Sequence, residues 1–289
     1  MRLLLRLAAA LAALSAALPA AGFAADRVVV AKRDAFGGAC PKCELSGRKL
    51  AGAHFMGADF SGAALVGSDL RGAAFVGSLF VRADLSRADL TAAAFMGANF
   101  TGANLASAKL RGADAHGVSF AGANLTGADL RDAGALGADF SRAALPGASL
   151  HGADLSGALL GHVDARGADF GEAALRGANL ANSRFDRASF REAALEGAIL
   201  TGATFEGADF HDAELNHAIL AGADLSHARG LEQDQLDEAC ADGRTRLPPG
   251  LTAKTCAARV MARAWPLPPA PPPPPVPPAK PRYLVAEGQ

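Results

Sequence analysis

Two cysteines near the N-terminus have the spacing of a redox-active dithiol. They form the stretch Cys40-Pro-Lys-Cys43, and two further cysteines, Cys240 and Cys256, lie near the other end of the chain. A C-x-x-C pair exchanges disulfides when a thioredoxin-like βαβ setting lowers the pKa of one thiol. No alternation of strands and helices surrounds this pair, so we interpret the four cysteines as structural or incidental and not as catalytic.

Histidine, serine and acidic residues provide no other candidate for catalysis. The sequence contains no nucleophile elbow, no P-loop and no pair of histidines at metal-ligand spacing with a supporting glutamate. The seven histidines are scattered along the chain. We therefore expect no enzyme activity, no metal site and no cofactor, and we interpret the histidines as ordinary surface residues.

Any site in this chain must be positioned by a five-residue repeat. From Leu45 to Leu225 every fifth residue is Leu or Phe, apart from Ala115, Ala135 and Ala165. A small residue, usually Ala, lies two positions earlier, and Gly lies two positions later in 23 of the 37 units. Neither an α-helix, with a period of 3.6, nor a simple strand, with a period of 2, places a large apolar residue at every fifth position.

Each unit fits a very short extended segment followed by a bend. We number positions from the large central residue, so that the unit runs from −2 to +2. Alternate side chains of an extended segment share a face, so the central and −2 residues point inward while −1 and +1 point outward. Glycine suits the bend at +2 because it tolerates backbone angles that a Cβ forbids. One unit buries too little surface alone, so the units must stack as coils.

The order of the large residues sets the number of units in a coil. Two Leu are followed by two Phe, as in Leu45, Leu50, Phe55 and Phe60, and this order repeats every 20 residues. If a coil contains four units, each central Leu stacks on a Leu of the next coil and each central Phe stacks on a Phe. Four consecutive central leucines in 145–160 then shift the order without an insertion. The Phe pair must therefore move to the opposite two sides in the second half.

Units such as ANLTG (123–127) and ADLSG (153–157) resemble the pentapeptide repeat family. The resemblance covers residues 43–229 and implies an all-β fold, a right-handed four-sided parallel β-helix. About nine coils at a strand spacing of about 4.8 Å would form a rod of roughly 44 Å. Amphipathic helices are disfavoured because each recurring glycine would cost about 1 kcal/mol.

The N-terminus predicts export. Residues 1–24 contain two arginines, a short apolar run and the stretch Gly22-Phe23-Ala24, which fits the small-residue rule for signal cleavage. We expect cleavage near Ala24, a periplasmic or secreted protein, and no stable membrane insertion afterwards. An uncleaved anchor is the alternative, although the apolar run is shorter than the roughly 20 residues of a membrane span.

The remaining flanks predict two caps and a tail. A β-helix exposes strand edges and an open core at its ends unless they are covered. We assign residues 25–42 to an N-terminal segment or cap and 230–260 to a C-terminal cap, in which 231–243 form a short helix that ends at Gly243. The Pro-rich residues 261–289 are expected to form a stiff, disordered tail.

The expected rod also limits how the cysteines can pair. The two cysteine pairs lie at opposite ends of a rod of roughly 44 Å, whereas a disulfide requires Cα atoms within about 7 Å. Within one chain, only Cys40 with Cys43 and Cys240 with Cys256 can therefore form.

Residues 20 apart should stack into outward columns, and one pair of columns is charged. The basic column contains Arg71, Arg111, Arg131, His151, Arg191 and His211. The acidic column contains Asp69, Asp89, Asp129, Asp169 and Asp209. These columns could dock an anionic polymer, but we favour mutual neutralisation by solvated ion pairs.

A third column, on another side, is apolar. Its members are Met56, Val76, Met96, His116 and Leu136, with Ala74 and Ala94 beside them. Further along, the same column is polar: Ser156, Arg176, Glu196 and Asn216. A contiguous apolar patch suggests a binding partner. The alternative is that the family tolerates apolar residues on its outer walls.

These features favour a non-enzymatic exported scaffold that binds a protein partner, or itself, through this apolar wall. One alternative is DNA mimicry, known in the family from quinolone-resistance proteins that bind gyrase. DNA carries one charge per about 1.7 Å, so such a rod would need about 26 negative charges. Residues 44–230 contain 21 acidic and 15 basic residues, a net charge of −6, and an export signal would separate the protein from gyrase. We expect no nucleic-acid partner; an enzyme without a recognisable site is the remaining alternative.

Overall fold

The computed structural model describes residues 38–257, in which short extended segments stack in parallel. Bridges join residues 20 apart on consecutive coils, for example Ala74 with Ala94 and Ala94 with Asp114. Because the sequence repeats every five residues, each coil contains four units.

The coil has four faces, which we number in chain order. Their central residues in one coil are Leu65 on face 1, Leu70 on face 2, Phe75 on face 3 and Phe80 on face 4. Residues that lie 20 positions earlier or later are on the same face.

Backbone hydrogen bonds connect each coil to the coils on both sides. The N–H of Phe75 donates to the carbonyl of Ala94 (2.7 Å), and the N–H of Ala74 donates to the carbonyl of Ala53 (2.8 Å). This is the bonding pattern of parallel strands. Each segment is so short that a unit contributes a single bridged residue, the one at −1.

Burial alternates along each unit as the sequence predicts. Ala73 and Phe75 are fully buried, whereas Ala74 between them is partly exposed. Every central residue from Leu45 to Leu225 is buried. The predicted assignment of inward and outward positions is therefore confirmed.

The corner at +2 has a left-handed backbone. At one corner the N–H of Ala53 donates to the carbonyl of Leu50 (3.0 Å), and Gly52 between them has a φ of +66°. A type II turn requires positive φ at this third residue. Non-glycine residues also adopt it, as in Arg82 and Ala92, each with a φ of +56°. The repeat thus imposes this corner even where a Cβ makes it cost about 1–2 kcal/mol.

Phenylalanine rings stack in two columns in each half of the coil series. In the N-terminal half the columns are Phe55, Phe75 and Phe95 on face 3, and Phe60, Phe80, Phe100, Phe120 and Phe140 on face 4. In the C-terminal half they are Phe185 and Phe205 on face 1, and Phe170, Phe190 and Phe210 on face 2. Stacked ring centroids lie 4.6 to 5.7 Å apart. The predicted move to the opposite two sides is confirmed.

The chain after the last repeat folds against the final coil. Helix α1 spans Gln233–Leu236, strand β1 spans Cys240–Ala241 and strand β2 spans Lys254–Thr255, and the two strands pair in parallel. A bridge between Ile219 and Cys240 makes β1 a continuation of face 4. The predicted end of the helix at Gly243 is wrong: the chain leaves the helix after Leu236 to extend this face.

Polar side chains from this segment bind carbonyl groups at the end of the coils. Nε2 of Gln235 donates to the carbonyls of Phe210 (2.9 Å) and Ala213 (2.8 Å). The hydroxyl of Thr245 donates to the carbonyl of Leu220 (2.9 Å). Leu236 of α1 is fully buried.

The expectations for residues 1–24, for residues 25–37 and for the tail 261–289 lie outside the described residues. Within 38–257, no helix is long and apolar enough to cross a membrane.

Candidate functional site

The apolar wall on face 3 is the most exposed apolar surface of the described chain. Among residues 38–257, the large apolar side chains that are close to half exposed are Met56 (47%), Met96 (46%) and Leu136 (50%). All three occupy the +1 column of face 3. Val76, between the two methionines, is partly exposed.

Two alanines make the surface beside Val76 and Met96 flat. Ala74 and Ala94 occupy the −1 column beside Val76 and Met96, are partly exposed, and bridge one another. Because their side chains end at Cβ, a partner could approach the backbone closely at this point. The wall from Met56 to Met96 spans two coil spacings, or about 10 Å.

His116 interrupts the wall between Met96 and Leu136. Its ring lies against the next coil, where Nδ1 accepts a hydrogen bond from the N–H of Leu136 (3.2 Å). A Cβ on Gly134 would lie 2.9 Å from the ring, so glycine makes room for the imidazole. The apolar surface is therefore continuous from Met56 to Met96, and Leu136 stands beyond a polar residue.

The C-terminal part of face 3 is charged. Arg176 Nε lies 3.1 Å from Glu196 Oε1, and the other end of the guanidinium lies 3.9 Å from Glu214. A hydrogen bond and charge repulsion from Glu196 raise the pKa of Glu214. This region is thus an ion-pair network and not an apolar wall.

The charged columns on face 2 are paired with one another. Arg71 forms two hydrogen bonds with Asp69, both 2.8 Å long, and Arg131 Nε donates to Asp129 (2.8 Å). The hydrogen bond from Arg71 lowers the pKa of Asp69 to about 2. These contacts support solvated ion pairs over a docking strip for an anionic polymer.

A shallow depression of about 520 Å³ on face 2 brings Ser149, His151 and Asp169 together. His151 Nδ1 lies 3.9 Å from Asp169, and Nε2 lies 3.5 Å from Glu172. A serine nucleophile needs a hydrogen bond to its base, and no side-chain hydrogen bond joins Ser149 to His151 within the described chain. No group of His, Cys, Asp or Glu in residues 38–257 is arranged to hold a metal ion.

The cysteines lie at the two ends of the coil series. Cys40 is bonded to Cys43 with Cα atoms 5.4 Å apart, and Cys240 is bonded to Cys256 with Cα atoms 4.8 Å apart. The first pair closes a repeat corner, because the N–H of Cys43 donates to the carbonyl of Cys40 (3.2 Å) and Lys42 has a φ of +60°. It is not placed at a helix N-terminus, as a redox-active thiol would be.

Sequence reasoning missed a second apolar region, on the C-terminal half of face 4. This face-4 strip consists of Leu159, Asn179, Ile199 and Ile219 at −1 and of Gly161, Ala181, Thr201 and Ala221 at +1, so Asn179 interrupts the apolar side chains of the −1 column. Stacking the sequence at a period of 20 on all four sides would have revealed it, because its +1 residues are uniformly small.

Comparison with known proteins agrees with the repeat geometry. A family model for pentapeptide repeats matches residues 42–75, 65–102, 98–133, 135–161, 153–191, 168–207 and 188–227. No curated protein sequence gives a significant match.

Several solved structures are similar to this chain. HetL, a pentapeptide repeat protein involved in heterocyst differentiation regulation from Nostoc sp. strain PCC 7120, is 31% identical, with a TM-score of 0.61, over 74% of this chain and 94% of its own. A thylakoid-lumen pentapeptide repeat protein of Arabidopsis thaliana is 37% identical over 37% and 70% of the two chains, with a TM-score of 0.29. QnrB1, a plasmid-mediated fluoroquinolone resistance protein, is 23% identical over 72% and 91%, with a TM-score of 0.28.

The family model and the likeness to HetL together imply a right-handed β-helix. Met56, Val76, Met96, His116 and Leu136 all lie within the matched stretches. The chain belongs to the pentapeptide repeat family.

Proposed function

We propose that this protein is a non-enzymatic interaction module that binds a protein partner through the apolar wall on face 3. The observation that carries the proposal is the position of Met56, Met96 and Leu136: the large, half-exposed apolar side chains of residues 38–257 all share one column of one face. Scattered exposed apolar residues need no explanation, whereas a contiguous patch indicates a binding site.

The wall has a suitable chemistry for a protein contact. Methionine side chains are flexible and polarizable, so they adapt to the shape of a partner. Covering them is favourable by roughly 25 cal/mol per Å² before the cost of association is subtracted. The partner surface should therefore be flat and apolar, with a polar rim that matches His116 and Asp114.

The charge distribution favours this role over DNA mimicry. A DNA mimic presents unpaired carboxylates in place of phosphates. Here Asp69, Asp129 and Asp164 each pair with an arginine two residues later in the chain.

The proposal also includes export and a capped rod. An exported protein is consistent with residues 1–24 and with bonded cysteines, because disulfides persist in oxidising compartments. The contacts of Gln235 and Thr245 support a cap in residues 230–260 over a rod of about nine coils. N-terminal sequencing of protein from an envelope fraction should find a chain that begins near Ala25, and a full-length cytosolic species would contradict export.

A crosslinking pull-down from the periplasmic fraction tests the binding proposal. Val76→Glu with Met96→Glu places two charges in the wall without changing a buried residue, so it should abolish capture of the partner while melting stays unchanged. The matched control is Thr101→Glu with Ala121→Glu, two outward residues that are also one coil apart but on face 4. Sedimentation of the purified protein distinguishes self-association from a different partner. Equal capture by both variants and the wild type would overturn the proposal.

A further inference from the structure

An exposed histidine lies beside an exposed methionine on the first described coil of face 3. His54 and Met56 occupy the −1 and +1 positions of one unit, on either side of the buried Phe55. We propose that the imidazole of His54 and the thioether of Met56 together bind one soft monovalent cation of the Cu(I) type. This inference goes beyond the partner-binding function and does not depend on it.

The extended backbone of the unit brings the two donors within reach of one ion. Alternate residues of an extended segment point to the same side and lie about 6.6 Å apart along the chain. The equivalent positions of the next coil are occupied by Ala74 and Val76, whose side chains are shorter than those of His54 and Met56. The two longer side chains therefore stand above their neighbours and can converge on an ion at the surface.

His54 lacks the acidic partner that most of the other histidines have. Within residues 38–257, no side-chain hydrogen bond or ion pair involves His54. Five other histidines each contact a carboxylate: His116, His151, His211, His217 and His227. His162 has no such contact in the described chain either, but it lies at the corner between faces 4 and 1, away from face 3. His54 is thus the histidine that combines available ring nitrogens with a neighbouring thioether.

The two donors determine the class of ion. Thioether sulfur is a soft ligand that selects Cu(I), and imidazole also suits copper. Monovalent copper and silver are stable with two ligands, which suits a pair of side chains on an open surface. All four cysteines are bonded in pairs, so they offer no competing thiolate. The prediction of no metal site rested on the lack of histidine pairs and did not include thioether ligands.

Met96 is an internal control for this pair. It lies two coils further along the same +1 column and is equally exposed, 46% against 47% for Met56. Its −1 neighbour is Ala94, which has no donor. His116 in the following coil does not replace that donor, because its Nδ1 accepts a hydrogen bond from the backbone of the next coil. Met96 therefore presents the same thioether alone and should bind the ion more weakly.

Methyl NMR with Ag(I) as the probe tests the site. Ag(I) requires no reductant, so the disulfides remain intact. The full-length protein is labelled with methyl-¹³C methionine, and the two signals are assigned from Met56→Leu and Met96→Leu. We expect the Met56 signal to shift and to saturate with one equivalent of Ag(I), while Met96 requires severalfold more. His54→Ala should raise the concentration that Met56 requires to the one that Met96 requires.

A gain of binding provides the converse test. Ala94→His places a histidine beside Met96, so Met96 should respond like Met56 and the chain should bind one further equivalent of Ag(I). Both substitutions are at outward positions, and circular dichroism should match the wild type. If one variant unfolds, the other variant and the comparison of the two methionines in the wild type still decide. The proposal is overturned if Met56 and Met96 respond equally in the wild type, if His54→Ala leaves the response of Met56 unchanged, or if Ala94→His leaves that of Met96 unchanged.

Discussion

The two halves of the coil series share one backbone plan but differ in both their core and their surface. In the N-terminal half the Phe columns lie on faces 3 and 4, and the exposed apolar column is on face 3. In the C-terminal half the Phe columns lie on faces 1 and 2, while face 3 is charged and face 4 is apolar apart from Asn179 and Thr201. The exposed apolar residues of face 3 therefore lie outside stacked phenylalanines, whereas those of face 4 lie outside central leucines.

This difference indicates that the inward and outward columns vary independently. The inward residues must fill the core and satisfy its packing, whereas the residues at −1 and +1 point outward and take no part in that packing. Stability should therefore depend on inward positions in both halves alike, and binding should depend on outward positions that differ between them.

The largest expected effect is on the core. Phe95→Ala in the N-terminal half and Phe190→Ala in the C-terminal half should each lower the free energy of unfolding by about 3–5 kcal/mol, because both rings are fully buried and stacked. Thr101→Ala, at an outward position, should be nearly neutral. Denaturant melts of the three variants provide the measurement, and comparable losses at Phe95 and Thr101 would show that the inward and outward assignment is wrong.

A smaller effect is expected at the corners. Gly97 and Gly197 have φ values of +64° and +65° in equivalent corners of the two halves, and a Cβ on either would meet no atom within 4 Å. Gly97→Ala and Gly197→Ala should therefore cost about 1 kcal/mol each through backbone strain alone.

Ala92 provides the reverse test at a corner with a φ of +56°. Ala92→Gly should relieve strain and stabilise the protein by up to about 1 kcal/mol. Unequal losses for the two glycines, or a loss for Ala92→Gly, would show that the corners are not equivalent across the halves.

Much of this architecture was predictable from the sequence because the repeat maps directly onto space. A central residue at every fifth position and an order that repeats every 20 residues were enough to predict four faces, buried alanines at −2 and the relocation of the Phe columns. The apolar wall followed from the same count, since Met56, Val76 and Met96 are 20 residues apart.

Features that depend on non-repeating contacts were not predictable. The end of α1 at Leu236 depends on β1 continuing face 4, and the burial of Thr201 depends on what surrounds one particular coil. The position of His116 depends on the absence of a side chain at Gly134 in the next coil. None of these has a signature in the five-residue pattern.

Acid should cause a modest loss of stability. Asp242, which follows the last repeat, and Asp69, near the N-terminal end of the coils, should contribute unequally to this loss. Burial opposes ionisation of Asp242, but N–H groups of Arg244 and Gly222 donate to its carboxylate and lower its pKa to about 2. Asp69 has a pKa of about 2 through Arg71. Unfolded aspartate titrates near 3.9, so both groups stabilise the fold above about pH 4 and lose this contribution as the pH falls towards 2.

Thermal melts between pH 5 and pH 2 measure this contribution. Asp242→Asn should reduce the acid-dependent fall in melting temperature, because Asp242 accepts a hydrogen bond from Gly222 in the final coil (2.8 Å). Asp69→Asn should have a smaller effect, since exposed ion pairs contribute little. A larger effect at Asp69 would contradict this ranking of the two ends.

Site-specific photo-crosslinking in the native cell is the most direct test of binding through the apolar wall. A photoreactive amino acid is placed at Val76 on face 3 or at Ala121 on face 4, both partly exposed +1 residues of the N-terminal half. If the wall binds a partner, Val76 should give a discrete protein adduct that disappears when Met96→Glu is added, and Ala121 should give none. The absence of an adduct at Val76, or equal adducts at both positions, would contradict a binding function for the apolar wall.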